Sequence, residues 1–426
     1  MPSDTLQVYL SNFHLGTLRR TRNGARFSFD SQLIQQRPGS PMLSTALPVQ
    51  AAEFNAEQTR NWFSGLLPEE TRLDSVKRFY GILDGSYLDI LEKIGWECAG
   101  AVAILPSDAL KNQNSSSTIT HISEYELIER LKALPSHPFD TKESMRISLG
   151  GFQEKLCVIA DATEAKPGHM ILSDITLPGG TQPTTHILKP QPSRFPGMIM
   201  AEAWGMTVAR SATSAAQTAL LNTSQEDAPT TLVVMRFDRE RRDSAIERLH
   251  QEDCCQALGL STEQKYAAES APTKSDPAFL AIARLLMTYT MDPLAELEKL
   301  FRHMVVNVAL GNTDAHAKNY AFLHKDNQIE LAPLYDVVPA LEITSDVRAM
   351  GMRIDGRILI DRIGADELLA EGRAWGISAK RCKALLNDTL ERLRMGIDSA
   401  DDIYPEATAR HSVPALERLA KLSISA

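Results

Sequence analysis

Cysteine is scarce in this chain of 426 residues: five, at Cys98, Cys157, Cys254, Cys255 and Cys382, an odd number with no C-x-x-C pair among them. That scarcity excludes a disulfide framework and a zinc knuckle, and it predicts buried thiols in a reducing compartment. Long apolar runs are missing as well. A helix that crosses a bilayer needs roughly 20 consecutive apolar residues, and Ala99–Leu105 and Met304–Leu310, the latter broken by Asn307, fall short of it. Ser3, Asp4, Gln7 and Ser11 interrupt Met1–Phe13 where an export leader needs a continuous apolar core, so a cytoplasmic protein without a membrane partner is expected. Positive charge is in deficit, with 45 Lys plus Arg against 54 Asp plus Glu and a net charge of −9. Duplex DNA is bound largely through clustered Lys and Arg, so a DNA role would need a partner protein, with Arg239, Arg241 and Arg242 as secondary contacts at most.

Hydrophobic residues at 43% and charged residues at 23% match an ordinary globular protein and not a disordered one. The length predicts two or three compact units, and no internal repeat divides them. Alternation at Leu6, Val8 and Leu10 and again around Phe27 and Phe29 predicts strands. Helical patterns follow over Glu57–Leu67, Thr71–Leu83 and Tyr87–Ile94, then an apolar strand over Ala99–Leu105. Lys111–Thr118 is polar and aperiodic and reads as a linker. Ser123 and Glu126 form a capping box for a helix with Leu127, Leu131 and Leu134 on one face. Strands at Leu156–Ala160, Thr185–Leu188 and Leu232–Met235 predict a β-rich unit. Beyond Ala267 the pattern is helical almost throughout. One long helix starts at Asp292-Pro293 and stops at Gly311, and another starts at Ser378. The expected class is α+β, divided into residues 1–110, a linker and bridging helix at 111–145, a β-rich unit at 146–240 and a helical unit at 241–426.

The strongest chemical signal follows the long helix, in Gly311-Asn312-Thr313-Asp314-Ala315-His316-Ala317-Lys318-Asn319. Phosphoryl transfer uses a carboxylate that accepts the proton of the attacking hydroxyl and an amide oxygen a few residues on that holds magnesium. Asp314 and Asn319 have that D-x-x-x-x-N spacing, and Asp336, one hairpin downstream, is placed to be the second magnesium ligand. Each of these residues alone fits a loop or helix cap; their order favours a kinase-like site. His316 could bind metal, orient Asp314, touch the nucleotide phosphates or serve the loop structurally. Upstream, Ser148-Leu149-Gly150-Gly151-Phe152-Gln153-Glu154-Lys155 runs into a strand as a phosphate-covering hairpin does, although a plain β-turn has the same composition. Lys189 ends a strand and Glu202 follows on a helix, the order expected of a phosphate-binding lysine and its carboxylate partner. Met235-Arg236-Phe237 fits a connection whose backbone meets the adenine edge.

Together these motifs resemble the HipA-type serine/threonine kinases, the toxins of bacterial HipBA modules. The matching runs are Arg146-Ile147-Ser148 with Gly151, Gln153 and Lys155; Thr184-Thr185-His186-Ile187-Leu188-Lys189; Arg236-Phe237-Asp238-Arg239; and Gln251-Glu252-Asp253 with Gly259 and Lys265-Tyr266. They continue in Thr313-Asp314, His316–Asn319 and Tyr335-Asp336, and the N-terminal part adds Phe63, Leu66-Leu67-Pro68 and Gly100-Ala101-Val102. Met235 stands where a glutamate is common in the family, and Gly150-Gly151 replaces Ala-Gly.

The resemblance implies a small N-terminal α/β subdomain in front of a two-lobed protein-kinase-like fold, with a β-rich ATP lobe and a helical C-lobe. It implies ATP and magnesium as cofactors, with Asp314, Lys189 and His316 catalytic and Asn319 and Asp336 on the metal. The implied ATP contacts are Gly150, Gly151, Phe152, Gln153, Glu154, Lys155, Lys189, Met235, Arg236, Phe237, His316, Ala317, Lys318, Asn319, Tyr335 and Asp336. Glu202 would pair with Lys189, and Ser148 would be autophosphorylated. The implied protein substrate is an aminoacyl-tRNA synthetase such as glutamyl-tRNA synthetase, whose phosphorylation arrests growth. The implied partner is a HipB-like antitoxin dimer that alone reaches operator DNA. Two other readings compete: a small-molecule kinase of the aminoglycoside or choline type, from D-x-H-x-x-N, and a non-catalytic co-repressor.

Overall fold

Alternating apolar residues at the start of the chain need a second layer to cover them, and the next hundred residues supply it. In a computed structural model the described residues are 3–22, 24–82, 85–107, 120–134, 147–148, 150, 153–179, 182–242, 245–268, 273, 276–325, 327–344 and 346–423. Strands β1 (Thr5–Leu10), β2 (Phe13–Thr21) and β3 (Gly24–Phe29) are followed by helices α1 (Ser31–Gln36), α2 (Ala56–Ser64), α3 (Glu70–Tyr80) and α4 (Tyr87–Ile94), then β4 (Glu97–Cys98) and β5 (Val102–Pro106). The antiparallel sheet runs β3-β2-β1-β5. Leu6, Val8, Leu18 and Phe27 on its inner face are buried against Trp62, Phe63, Leu88, Leu91 and Ile94 of the helices.

Two predicted helices are shorter than their periodicity. The last turn of α2 tightens, with the Gly65, Leu66 and Leu67 amides donating to carbonyls three residues back, and this frees Gly65–Glu69 to leave the helix direction. Helix α3 stops at Gly81, whose left-handed conformation (φ 67°) ends it. The predicted linker at Lys111–Thr118 lies outside the described residues.

Strand β6 (Thr120–His121) and helix α5 (Glu124–Ala133) come next, and α5 begins with the predicted Ser123–Glu126 capping box. Strand β7 is the pair Ile147–Ser148, which joins β4 of the N-terminal part in parallel. Strands β8 (Leu156–Lys166), β9 (His169–Leu177) and β10 (His186–Pro190), helix α6 (Met198–Ala212), and strands β11 (Thr218–Leu221) and β12 (Thr231–Met235) complete this part. The sheet order is β11-β12-β10-β8-β9-β6, and β11 also pairs with β9, so the sheet curls on itself. Leu127, Ile128 and Leu131 of α5 fill one side against Val158, Leu172, Leu188 and Val233.

The rest of the chain is mainly helical but holds more strand than its periodicity predicts. Hairpin β13 (Arg239–Arg242) and β14 (Ala245–Arg248) leads to β15 (Gln251–Asp253), α7 (Cys254–Leu258), α8 (Phe279–Tyr289) and α9 (Pro293–Ala309). Then follow β16 (Ala321–Lys325), β17 (Gln328–Leu331), α10 (Ala340–Ile343), β18 (Ala349–Ile354), β19 (Arg357–Leu359), α11 (Ala365–Ala374), α12 (Ala379–Ile403) and α13 (Pro405–Leu422). Asp292 caps α9 through the Ala295 amide (3.1 Å), Pro293 opens it, and Gly311 (φ 70°) follows its end as predicted. Ser378 caps α12. The largest core cluster joins Trp204 of α6 to Phe301, Trp375, Leu386 and Leu393. Among the described residues no helix is long and apolar enough to cross a membrane, and all five cysteines are free and buried.

Candidate active site

A cleft of about 450 Å³ opens between the curled sheet and the helical part. Strand β10 carries Lys189 to its edge, and α6, the next helix, carries Glu202 to the same point. The Lys189 ammonium donates to Glu202 Oε1 at 2.7 Å and also pairs with Asp336. Lys189 and Glu202 are 8% and 2% exposed, whereas Asp336 is 42% exposed to the cleft. Asp336 follows the β16–β17 hairpin in a left-handed conformation (φ 55°), rare for a residue with a Cβ and costing about 1–3 kcal/mol that the surrounding structure must support. Glycines allow close approaches at the Asp336 turn and at the loop after α9. An added methyl at Gly205 of α6 would sit 2.4 Å from the Val337 carbonyl oxygen, and one at Gly351 of β18 would sit 2.6 Å from the backbone of Ala315 and His316.

The loop after α9 is fixed by its asparagines. Asn312 Nδ2 donates to Asn307 Oδ1 (2.8 Å) and to the Asp336 carbonyl (3.1 Å), so it joins this loop to the Asp336 turn. Asn319 Nδ2 donates to the Asp314 carbonyl (3.1 Å), and the Tyr335 hydroxyl donates to the Lys318 carbonyl (2.6 Å). Asp314 accepts from the Tyr266 hydroxyl at 2.5 Å. Burial raises the Asp314 carboxyl above its ordinary range against the opposing pull of Tyr266 and Lys265. Burial also pushes Asp336 up, but Lys189 outweighs it and holds the carboxyl down at about 2. Glu202, more deeply buried, is raised by that burial. Burial would discharge Lys189, and the Asp336 and Glu202 carboxylates overcome it and keep the ammonium charged.

Gly150, Gln153, Lys155, Lys189, Glu202, Met235, Arg236, Phe237, Asp314, His316, Lys318, Asn319, Tyr335 and Asp336 all line the cleft. Gly151 and Phe152 lie outside the described residues. The Lys155 ammonium donates to the Gly150 carbonyl (2.6 Å), and burial lowers it to about 7. At the far end the Phe237 and Tyr335 rings sit 5.6 Å apart.

The geometry departs from the sequence expectations at several residues. Glu154 and Ala317 do not line the cleft; Ala317 is in the core. Lys318 turns its ammonium to the Gly65 carbonyl (3.0 Å) and Asp253 (2.8 Å). The bond between His316 and Asp314 is a backbone one, His316 N–H to the Asp314 carbonyl (2.7 Å), and the imidazole makes none to the Asp314 carboxylate. Its Nδ1 is buried and unpartnered in this structure, and burial holds the ring at about 3, hence neutral.

The Arg236 side chain is buried and forked onto Asp238 (2.9 and 2.7 Å), with Glu97 at 3.2 Å. Arg239 joins the same cluster through Glu97 (2.9 Å), which withdraws it from any surface contact with DNA. Ser148 is buried, and its hydroxyl donates to the Leu66 carbonyl (2.6 Å).

Residues that sequence reasoning missed also line this cleft. Gly65, Leu66 and Glu69 come from the N-terminal part, and Tyr266 from the segment after α7. Lys265-Tyr266 stands among the resembling motifs without a role, and Leu66-Leu67-Pro68 ends one residue before Glu69.

Chemically, the arrangement is a carboxylate aimed into a cleft, a buried cation between two further carboxylates, and a loop of ordered amides. Asn319 and Asp336 present the oxygen donors magnesium prefers, and such sites are completed by phosphate and water. The residues present therefore fit that ion with a nucleotide.

Residues 147–397 match the HipA-like C-terminal domain family, and residues 6–105 match the HipA N-terminal domain family. A Sinorhizobium fredii protein described as "Putative kinase Y4mE" is 31% identical over 437 aligned positions, 98% of this chain and 99% of its own length. The serine/threonine-protein kinase toxin HipA of Shewanella oneidensis is 27% identical over 410 positions, 93% of this chain and 88% of that protein. A chain in the solved complex of Shewanella oneidensis HipA, HipB and operator DNA superposes with a TM-score of 0.78 at 23% identity, covering 97% of this chain and 96% of that one. At that identity the likeness establishes the mixed α/β fold.

Proposed function

The chain belongs to the HipA family, and from that premise we propose that it is an ATP- and magnesium-dependent serine/threonine protein kinase. The observation that carries the proposal is the Lys189 ammonium held between Glu202 and Asp336, in one cleft with Asp314 and Asn319. In this reading Asp314 accepts the proton of the attacking hydroxyl, and Lys189 neutralises nucleotide phosphate oxygens. Asn319 and Asp336 hold magnesium, which when bound neutralises charge on the phosphates. Positioning and charge neutralisation then supply most of the rate. Phe237, Tyr335 and the backbone at Met235 form the base end of the slot, and Gly150, Gln153 and Lys155 cover the phosphates. The units follow the two-lobed kinase plan, with an N-terminal unit at 1–110, a bridge at 111–145, a nucleotide lobe at 146–240 and a catalytic lobe at 241–426.

Ser148 is the autophosphorylation site in this reading. Because its hydroxyl is buried on Leu66 and its strand is paired with β4, phosphorylation requires that segment to leave the N-terminal part. The partner is a HipB-like antitoxin that carries the acidic chain to DNA, supported by the net charge of −9, by the burial of Arg239 and by the complex in which the solved relative was found. The substrate is a cytoplasmic translation protein, an aminoacyl-tRNA synthetase such as glutamyl-tRNA synthetase.

The test is incubation with labelled ATP and magnesium, alone and with candidate synthetases, followed by mass spectrometry of the products. Phosphate on Ser148 and on a synthetase, lost in Asp314→Asn, is the expected result. No protein-bound phosphate from either form, with rapid turnover of an amino alcohol or aminoglycoside, would replace the proposal with a small-molecule kinase. Undiminished growth arrest by Asp314→Asn in cells would favour the co-repressor.

A further inference from the structure

The Asp314 carboxylate is held from outside its own loop. The Tyr266 hydroxyl donates to Asp314 Oδ1 at 2.5 Å. The Tyr266 ring stands edge-on to His316 at 4.8 Å and carries the Lys265 ammonium over its face at 5.2 Å. Lys265 is ion-paired with Glu69 of the N-terminal part, and Glu69 also lies 3.7 Å from Lys318. The backbone on both sides of Tyr266 is pinned: the Lys265 carbonyl accepts from the Ala317 amide (3.0 Å), and the Ala267 amide donates to Gly351 (2.8 Å). The hydroxyl therefore reaches Asp314 from a fixed base, although the side chain is 44% exposed.

We propose that Tyr266 is a positioning residue for phosphoryl transfer: it holds one carboxylate oxygen of Asp314 so that the other faces the acceptor hydroxyl, and Glu69 braces it through Lys265. The inference rests on the kinase reading above. The physical need is specific. The terminal torsion of an aspartate has a broad, roughly two-fold profile, so packing alone sets its rotation poorly, whereas a base must lie about 2.6–3.2 Å from the proton it takes. A short O–H···O⁻ bond is strong enough to choose one rotation. Water can approach a rotated carboxylate from many directions, but a serine borne on a protein cannot re-aim. Loosening the carboxylate therefore harms transfer to protein more than transfer to water. The N-terminal part, through Glu69, thereby shares in the chemistry.

The experiment is Tyr266→Phe, which removes the hydroxyl and keeps the ring against His316 and Lys265. Two products from labelled ATP and magnesium are measured: phosphate on protein, with the chain itself and dephosphorylated casein as acceptors, and free phosphate. The ratio of the first to the second is expected to fall about tenfold, a fraction of the 10²–10⁴ that a positioned base contributes, while KM for ATP changes less than the ratio. Glu69→Gln is expected to move the ratio the same way by less. A general loss of structure would lower both products together and leave the ratio in place, and that result overturns the proposal. Asp314→Asn separates the levels. If it abolishes protein phosphorylation while Tyr266→Phe leaves the ratio unmoved, the positioning role fails and the kinase reading stands. If Asp314→Asn phosphorylates protein normally, both fail.

Discussion

Glu97→Gln tests the buried joint between the N-terminal part and the curled sheet. Glu97 Oε1 accepts from the Thr184 amide (2.7 Å), the Thr184 hydroxyl (2.9 Å), Arg236 (3.2 Å) and Arg239 (2.9 Å). Asp238 completes the cluster, so the Arg236 and Arg239 guanidiniums face two carboxylates, each of these side chains at most 3% exposed, with the Arg248 guanidinium also in the field of Glu97. The amide keeps both Thr184 bonds but removes one of the two negative charges, and its NH₂ falls where Oε2 now has no partner. Breaking a buried pair costs about 3–5 kcal/mol, and the retained neutral bonds favour the lower end, about 3 kcal/mol.

Urea unfolding followed by tryptophan fluorescence is the assay, because Trp62, one of four tryptophans, donates from Nε1 to Glu252 (3.0 Å) where the N-terminal part meets the rest of the chain. A protein of several units need not unfold in one step, so the midpoint of the first fluorescence transition is the quantity to compare. With a slope of about 2 kcal/mol per molar urea, that midpoint should drop by about 1.5 M. Adding Arg239→Met returns the cluster to its native net charge and should recover part of the loss, an interaction a double-mutant cycle reads directly. A midpoint shift below about 0.3 M at unchanged slope, or strict additivity of the two changes, would refute the reasoning.

Other perturbations follow from the same structure. Lys189→Met leaves the Glu202 and Asp336 carboxylates facing each other, and protein phosphorylation should fall at least about 100-fold, the cost of removing one preorganised charge partner; radiolabel incorporation checks it. Gly351→Ala places a methyl against the Ala315–His316 backbone, and a displacement of that loop by about 1 Å should cost about 100-fold in transfer with far-UV circular dichroism preserved. Burial would raise Asp238, but Arg236 and Arg239 prevail and hold its folded-state carboxyl well below the ordinary value. A depressed carboxyl stabilises above its unfolded value of about 3.9 and loses that contribution as pH falls below it. Melting temperatures at pH 5 and pH 3 should therefore diverge more for the native chain than for Asp238→Asn, and equal divergence would exclude the linkage.

What the sequence reveals of this site depends on how far apart the cooperating residues lie along the chain. Asp314, Asn319 and Asp336 were readable because a loop and one hairpin bring them together, so their spacing is itself the geometry. Lys189 and Glu202 were readable for the same reason, as a strand followed directly by a helix. Tyr266 and Glu69 carry no such local mark. Tyr266 meets Asp314 from 48 positions away, and Lys265 meets Glu69 from 196. Only the tightened end of α2, where periodicity predicted three more helical residues, turns Glu69 toward the cleft. Arg236 and Arg239 show the opposite failure. Charged residues beside a turn are ordinarily solvated, and nothing near them announces Glu97, 139 positions before Arg236, as the carboxylate that makes their burial tolerable. Strand β7 belongs in this class: Ser148 precedes strand β8 of the curled sheet in sequence, yet its own two-residue strand pairs with β4. Apart from Tyr266 with Asp314, each of these misses links the N-terminal part to the rest of the chain, so the contacts that bind those parts to one another were the ones local pattern could not supply.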